Sequence, residues 1–206
     1  MDRRFQMPIF HAFALLIRPR AEWAAIRDHR PGVAGSFLLH TALFALIPAI
    51  AGYVGTTRTG WQVGAGDVVR LTEESALRIA VLYYLAMLAA AFCVAWMIHW
   101  MSRTYGASQP LGRCYALATY TATPLFLVGA MQLQPILWLN LLAGLPVLGY
   151  TVFLFYTGVP VMMEIPEERG FLFSSAVMAF GLVALVAMLA ITVLLWSSGF
   201  GPSFTH

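Results

Sequence analysis

Four side chains with acid–base or metal-binding chemistry stand near the ends of long hydrophobic segments. They are His40, His99 and Glu164, with Glu167 three residues further on. Imidazole and carboxylate groups together suit a divalent metal such as zinc. A histidine, which titrates near neutral pH, also suits a proton-linked site. The alternative is that both histidines are hydrogen-bonded between helices, while the glutamates belong to a solvated loop.

The composition of the chain predicts that lipid is its main solvent. Of the 206 residues, 60% are hydrophobic and only 10% are charged, whereas a soluble domain carries about 25% charged residues. A bilayer span needs about 20 mostly apolar residues, and its backbone polar groups must be paired within the segment, which requires helices. We therefore predict an all-α polytopic membrane protein with five transmembrane helices, at residues 35–55, 77–101, 115–133, 136–157 and 171–196.

The arginines predict the orientation of these spans, since loops rich in positive charge stay in the cytoplasm. Arg58, Arg70 and Arg78 fall on one side of a five-span bundle, and the other nine arginines fall on the opposite side. This distribution predicts a multi-pass inner (plasma) membrane protein with a cytoplasmic N-terminus and an outside C-terminus. Because the arginines flank spans and form no basic face, no nucleic acid partner is predicted.

The first 34 residues are predicted to form a cytoplasmic amphipathic head, followed by the transmembrane domain over residues 35–206. Two short helices in the head each place aromatic and aliphatic residues on one face, with arginines beside them. This pattern is typical of a helix lying in the membrane interface. The alternative is a helix packed on the ends of the bundle, and both can hold together. The residues concerned are Phe13, Ile17, Arg18, Arg20, Trp23 and Ile26.

The third and fourth spans form a hairpin interrupted by prolines, which we predict to be the packing and functional centre. Threonine hydroxyls can help to satisfy the carbonyls that a proline leaves unpaired, and broken helices often line substrate or ion sites in transporters. Proline kinks also occur in purely structural bundles, and no inverted repeat is visible in this sequence. The predicted breaks and packing positions are Tyr120, Thr123, Pro124, Asn140, Pro146, Gly158, Pro160 and Pro166.

Three pieces of the chain resemble the Yip (Ypt/Rab-interacting protein) family in its bacterial branch. They are Arg18-Pro-Arg-Ala-Glu-Trp23-Ala-Ala-Ile26, then Tyr120-Thr-Ala-Thr-Pro124, and then Gly158-Val-Pro160 leading into Met163-Glu-Ile-Pro166. The resemblance implies a five-helix membrane domain with a cytoplasmic N-terminus. Eukaryotic members are associated with small GTPases and with membrane shaping. This chain lacks their Asp-Leu-Tyr-Gly-Pro signature and their long N-terminal region, which argues against a small GTPase partner.

The sequence favours a binding role over catalysis. It contains no glycine-rich phosphate loop, no nucleophile elbow and no His-Glu-x-x-His motif, and no acidic residue lies in the middle of a predicted span. We therefore expect a non-enzymatic scaffold that organises the lipid bilayer, other membrane proteins or further copies of itself. The alternative is a transporter or channel for a small solute or ion, with His40, His99 and Glu164 as its polar site.

Overall fold

The computed structural model describes residues 8–29, 32–36, 40–61, 68–197 and Phe204, and in these residues it is all-α. The only extended pairings within this part of the chain are the isolated bridges Trp61–Val69 and Leu71–Phe204. The predicted all-α class is therefore confirmed for the described residues.

The helices follow one another with short connections. In chain order they are α1 (Pro8–Ile17), α2 (Pro19–Asp28), α3 (Val33–Ser36), α4 (Ala42–Val54), α5 (Glu73–Ser102), α6 (Leu111–Thr121), α7 (Thr123–Val128), α8 (Leu137–Met163) and α9 (Glu167–Ser197). A π-helical segment extends α4 over Gly55–Thr59, and short 3₁₀ segments follow α5 at Arg103–Tyr105 and α7 at Gly129–Leu133.

Four helical segments are long and apolar enough to cross a membrane: Glu73–Tyr105, Leu111–Leu133, Leu137–Met163 and Glu167–Leu194. They correspond to the last four predicted spans. The predicted first span, 35–55, instead contains the 13-residue helix α4, and part of it, residues 37–39, lies outside the described residues. The proline at position 48 lies inside α4 without ending it.

The segment Leu111–Leu133, which is the third predicted span, is the innermost of the four. Its most apolar 18-residue window is 61% buried, whereas the corresponding windows of α5, α8 and α9 are 17% or less buried. Helix α6 packs against α3, α5 and α8, and α7 packs against α4 and α8. Tyr115 and Leu117 of α6 are fully buried. The proline-broken span therefore forms the axis around which the other helices are arranged.

The head packs onto the bundle through α2, which contacts both α1 and α8. Trp23 and Ile26 are at most 2% exposed, so they are core residues and not membrane anchors. The physical reason is a glycine on α8: a Cβ atom at Gly158 would lie 2.6 Å from the Trp23 ring. Phe13 and Ile17, in contrast, are exposed on the outer face of α1.

The first half of α8 faces away from the core, which corrects part of the predicted packing centre. Pro146 is exposed, Asn140 is half-exposed, and a Cβ at Gly144 or Gly149 would meet nothing within 4 Å. The side chain of Asn140 donates to the carbonyls of Gln134 and Ile136 and so stabilises the start of α8. These residues shape the helix and its entry turn, while close packing on α8 begins at Thr151.

Candidate functional site

A fully enclosed polar site lies at the break between α6 and α7, and His40 is its central residue. The His40 side chain is fully buried. Its Nε2 atom lies 3.2 Å from the Thr119 carbonyl oxygen and 3.0 Å from the Thr123 hydroxyl oxygen. Because a carbonyl can only accept a hydrogen bond, the imidazole proton is on Nε2. Nδ1 is then an acceptor, and it has no partner within the described residues.

Two aromatic rings enclose this imidazole. The ring centroid of Tyr120 lies 4.3 Å from that of His40, and the centroid of Phe44 lies 4.6 Å away in a stacked arrangement. The same break carries Pro124, the second residue of α7, which is buried. We refer to His40, Thr119, Tyr120 and Thr123 as the His40 niche. It joins one predicted polar residue to two residues of the predicted packing centre.

Thr41, the residue after His40, makes a second buried hydrogen bond to α6. The Tyr115 hydroxyl donates to the Thr41 hydroxyl oxygen over 3.1 Å, and both side chains are fully buried. Helix α6 is therefore joined to the residues just before α4 by two adjacent buried polar contacts, which restrain the rotation of α6 within the core.

His99 and Glu164 belong to a different cluster, at the end of the bundle where α5 ends and α6 begins. His99 Nδ1 donates to the Gln109 carbonyl over 2.9 Å, and Gln109 Nε2 donates to Glu164 over 3.2 Å and to the Met163 carbonyl over 3.0 Å. Arg113 donates to Gln109 Oε1 over 2.6 Å and pairs with Glu164 at 3.2 Å. These residues form the Gln109 cluster, which joins α5, α6 and the end of α8.

The backbone of Glu164 explains why α8 ends here. Glu164 has φ 57° and ψ 45°, in the left-handed region, a conformation that commonly stops a helix. The turn directs its carboxylate to Gln109 and Arg113 before Pro166 leads into α9. Pro160, one turn earlier, packs closely on Gly170, where a Cβ would lie 2.7 Å from the proline ring. Pro166 itself is exposed.

The predicted three-residue metal site is not formed. His40 sits in its own niche, whereas His99 and Glu164 meet only through Gln109. Within the described residues, no three His, Cys, Asp or Glu side chains come together in a way that could hold a metal ion. Glu167 is exposed at the start of α9 and lies on a groove with Arg20. The donor set of the His40 niche, one imidazole nitrogen among rings and threonines, does not fit a divalent metal.

The sequence prediction missed Gln109 and treated Arg113 only as a marker of orientation. The available signal was their spacing: the two residues are four apart, directly before and within the first turn of α6, so they can share one helix face. No signal in the sequence indicated that His11 of α1 is buried and paired with Glu22 of α2.

Comparison with known proteins gives one consistent relationship. A family model for the Yip1 domain matches residues 13–188. The inner membrane protein YohC of Escherichia coli K12 is 38% identical over 190 residues, which covers 92% of this chain and 97% of YohC. YohC of E. coli O6:H1 matches to the same extent. No solved structure matches the chain. A single family model thus spans most of the head, the proline-broken span and most of α9, and the chain belongs to the Yip1 domain family.

Proposed function

We propose that this protein is a non-enzymatic inner membrane scaffold, which organises lipids or partner membrane proteins around an interior helix. The supporting observation is the distribution of apolar surface. Helix α9 has no buried side chain among its described residues after Val177, and the first half of α8 is also largely exposed. Such surfaces are covered by lipid or by another transmembrane helix. The inner membrane location follows the E. coli relatives, which are named as inner membrane proteins.

The proposed arrangement in the membrane has five spans, with α4 and its π-helical extension as the first. The N-terminus is then cytoplasmic and the C-terminus outside, as the arginine distribution favours. Phe13 and Ile17 on the exposed face of α1 would contact the cytoplasmic leaflet, with Arg18 at its end. An alkaline phosphatase fusion after residue 206 should be active, and a cytoplasmic reporter at the same site should be inactive. The opposite pattern would overturn the five-span topology.

A second function, transport of a small solute or ion, is favoured by one observation. The His40 niche places a buried imidazole acceptor without a partner among the described residues beside a broken helix, and broken helices line ion and substrate sites in many transporters. In this alternative a proton is the simplest cargo, because the niche offers one nitrogen and hydroxyl groups but no metal-ligand set.

Photo-crosslinking and flux together separate the two functions. A photoreactive side chain at Leu189, exposed on α9, should give a discrete adduct with a partner protein or a second copy, or with lipid. The same group at Val159, which is fully buried, is the matched control and should give only internal adducts. The purified protein in liposomes should show no proton or metal flux. Flux that is abolished by His40→Ala would overturn the scaffold proposal.

A further inference from the structure

A groove opens beside the elbow between α8 and α9, with part of α2 as one wall. Its volume is about 720 Å³. The charged part of the lining comes from Arg20 of α2 and from Glu167 and Glu168 in the first turn of α9, and Tyr156 and Thr157 of α8 add neutral polar groups. The apolar part comes from side chains such as Val161 of α8 and Leu172 of α9. The groove therefore has a charged section next to an apolar section.

The opposite charges of this groove are not joined in ion pairs. Within the described part of the chain, no ion pair joins Arg20 to Glu167 or Glu168. All three side chains are exposed. A groove that holds a cation on one wall and two carboxylates on another, with space between them, is complementary to a ligand that carries both charges.

The position of the groove indicates how deep in the membrane this ligand would lie. Helix α9 begins at Glu167, which is also the first residue of a segment able to cross the bilayer. The glutamates therefore stand at the boundary of the hydrocarbon region, where lipid headgroups lie, and Leu172 is more than a helical turn deeper. Leu172 and Phe171 are about 60% exposed and continue the groove along the lipid-facing side of α9.

We propose that this groove binds a phospholipid whose headgroup carries a phosphate and a primary ammonium, as in phosphatidylethanolamine. The Arg20 guanidinium would donate to the phosphate, the ammonium would donate to Glu167 and Glu168, and an acyl chain would follow Leu172. A trimethylammonium headgroup has no N–H to donate, and a purely anionic headgroup would be repelled by the two carboxylates. This inference rests on the proposed scaffold function and names the lipid that it would organise.

Native mass spectrometry of the full chain in detergent, with lipids of matched acyl chains, tests the proposal. Phosphatidylethanolamine adducts should exceed phosphatidylcholine and phosphatidylglycerol adducts. Glu167→Gln with Glu168→Gln should lower the ethanolamine preference roughly tenfold, as expected for loss of hydrogen bonds to a charged group. Arg20→Gln should weaken the binding of all three lipids, because each of them carries a phosphate. Glu73→Gln, in the first turn of α5, and Arg58→Gln are the matched controls and should leave binding unchanged.

The conservative double variant Glu167→Asp with Glu168→Asp keeps both charges and should retain the preference for phosphatidylethanolamine. Comparison with the double glutamine variant therefore separates the effect of losing the carboxylates from an effect on folding. Equal binding of the three lipids, a preference for phosphatidylglycerol, or a preference that survives the double glutamine variant would overturn the inference. The scaffold proposal is tested separately, by flux in liposomes, so the lipid proposal can fail while the scaffold proposal stands.

Discussion

The Nε2 atom of His40 lies 3.2 Å from the carbonyl oxygen of Thr119, a residue 79 positions later in the chain. The contact brings a polar group from the start of the first predicted span to the break in the third. Because the site is fully enclosed, this hydrogen bond forms without competition from water. It is therefore both a structural link between α4 and α6 and the most specific polar feature of the interior.

Replacing His40 with leucine should destabilise the protein by about 1–2 kcal/mol, since the Thr119 carbonyl loses its donor within a buried site. Equilibrium unfolding in mixed micelles with increasing sodium dodecyl sulfate would measure the loss. Thr123→Val removes only the hydroxyl group and should have a smaller effect, near 0.6 kcal/mol. His29→Leu, at an exposed position, is the control. If the His40→Leu and His29→Leu variants have the same free energy of unfolding, the niche does not stabilise the fold.

Adding one methyl group at Gly158 should displace the head. The new Cβ would lie 2.6 Å from Trp23 and 2.9 Å from Leu117, and overpacking of this kind costs about 1–3 kcal/mol. Gly149→Ala, on the same helix with nothing within 4 Å, is the matched control and should not destabilise. Trp23→Leu should partly rescue Gly158→Ala. Equal stability of the two alanine variants would show that the packing of Trp23 does not require a glycine at position 158.

The Arg113–Glu164 pair should contribute little by itself. The Glu164 side chain is 52% exposed, although that of Arg113 is only 13% exposed, so water reaches the carboxylate. Ion pairs that water reaches typically give about 0.2–1 kcal/mol in double-mutant cycles. A cycle with Arg113→Gln and Glu164→Gln should therefore show a coupling energy in that range, and added salt should reduce it. A coupling energy above about 2 kcal/mol, outside the usual range for such pairs, would indicate a buried pair and contradict this geometry.

The purified protein in mild detergent should contain no stoichiometric divalent metal. His40 is separated from the Gln109 cluster, so a metal would have too few ligands at either place. Elemental analysis of the wild type beside His40→Ala with His99→Ala should give the same low values for both. A near-stoichiometric metal that disappears in the double variant would reinstate the site that the sequence predicted.

Hydrophobicity was sufficient to predict the class of the protein and the approximate limits of α5, α8 and α9, because length and apolar composition determine which segments can cross a bilayer. It does not say which span lies inside. One signal was present: the α6–α7 segment has a mean hydropathy of 1.3, against 2.7 for α9. Its threonines lower that value, and they are tolerated because they face protein and not lipid.

The position of Trp23 could not be derived in the same way. An apolar face on a short helix is equally suited to contact with lipid and with protein, and only the partner distinguishes them. The partner here is a glycine that follows Trp23 by 135 positions in the chain. The separation of His40 from His99 and Glu164 is likewise a tertiary property, since helix packing, and not position along a helix, sets which side chains meet.

The attachment of the head to α8 has a consequence for biosynthesis. The Tyr150 hydroxyl donates to the Leu16 carbonyl across 134 residues, and Trp23 occupies the space left by Gly158. The ribosome releases the head first, long before either partner has been made. Newly synthesised α1 and α2 therefore cannot complete these contacts until α8 has been made. Insertion of α8 is thus the step at which the earliest part of the chain acquires its final position.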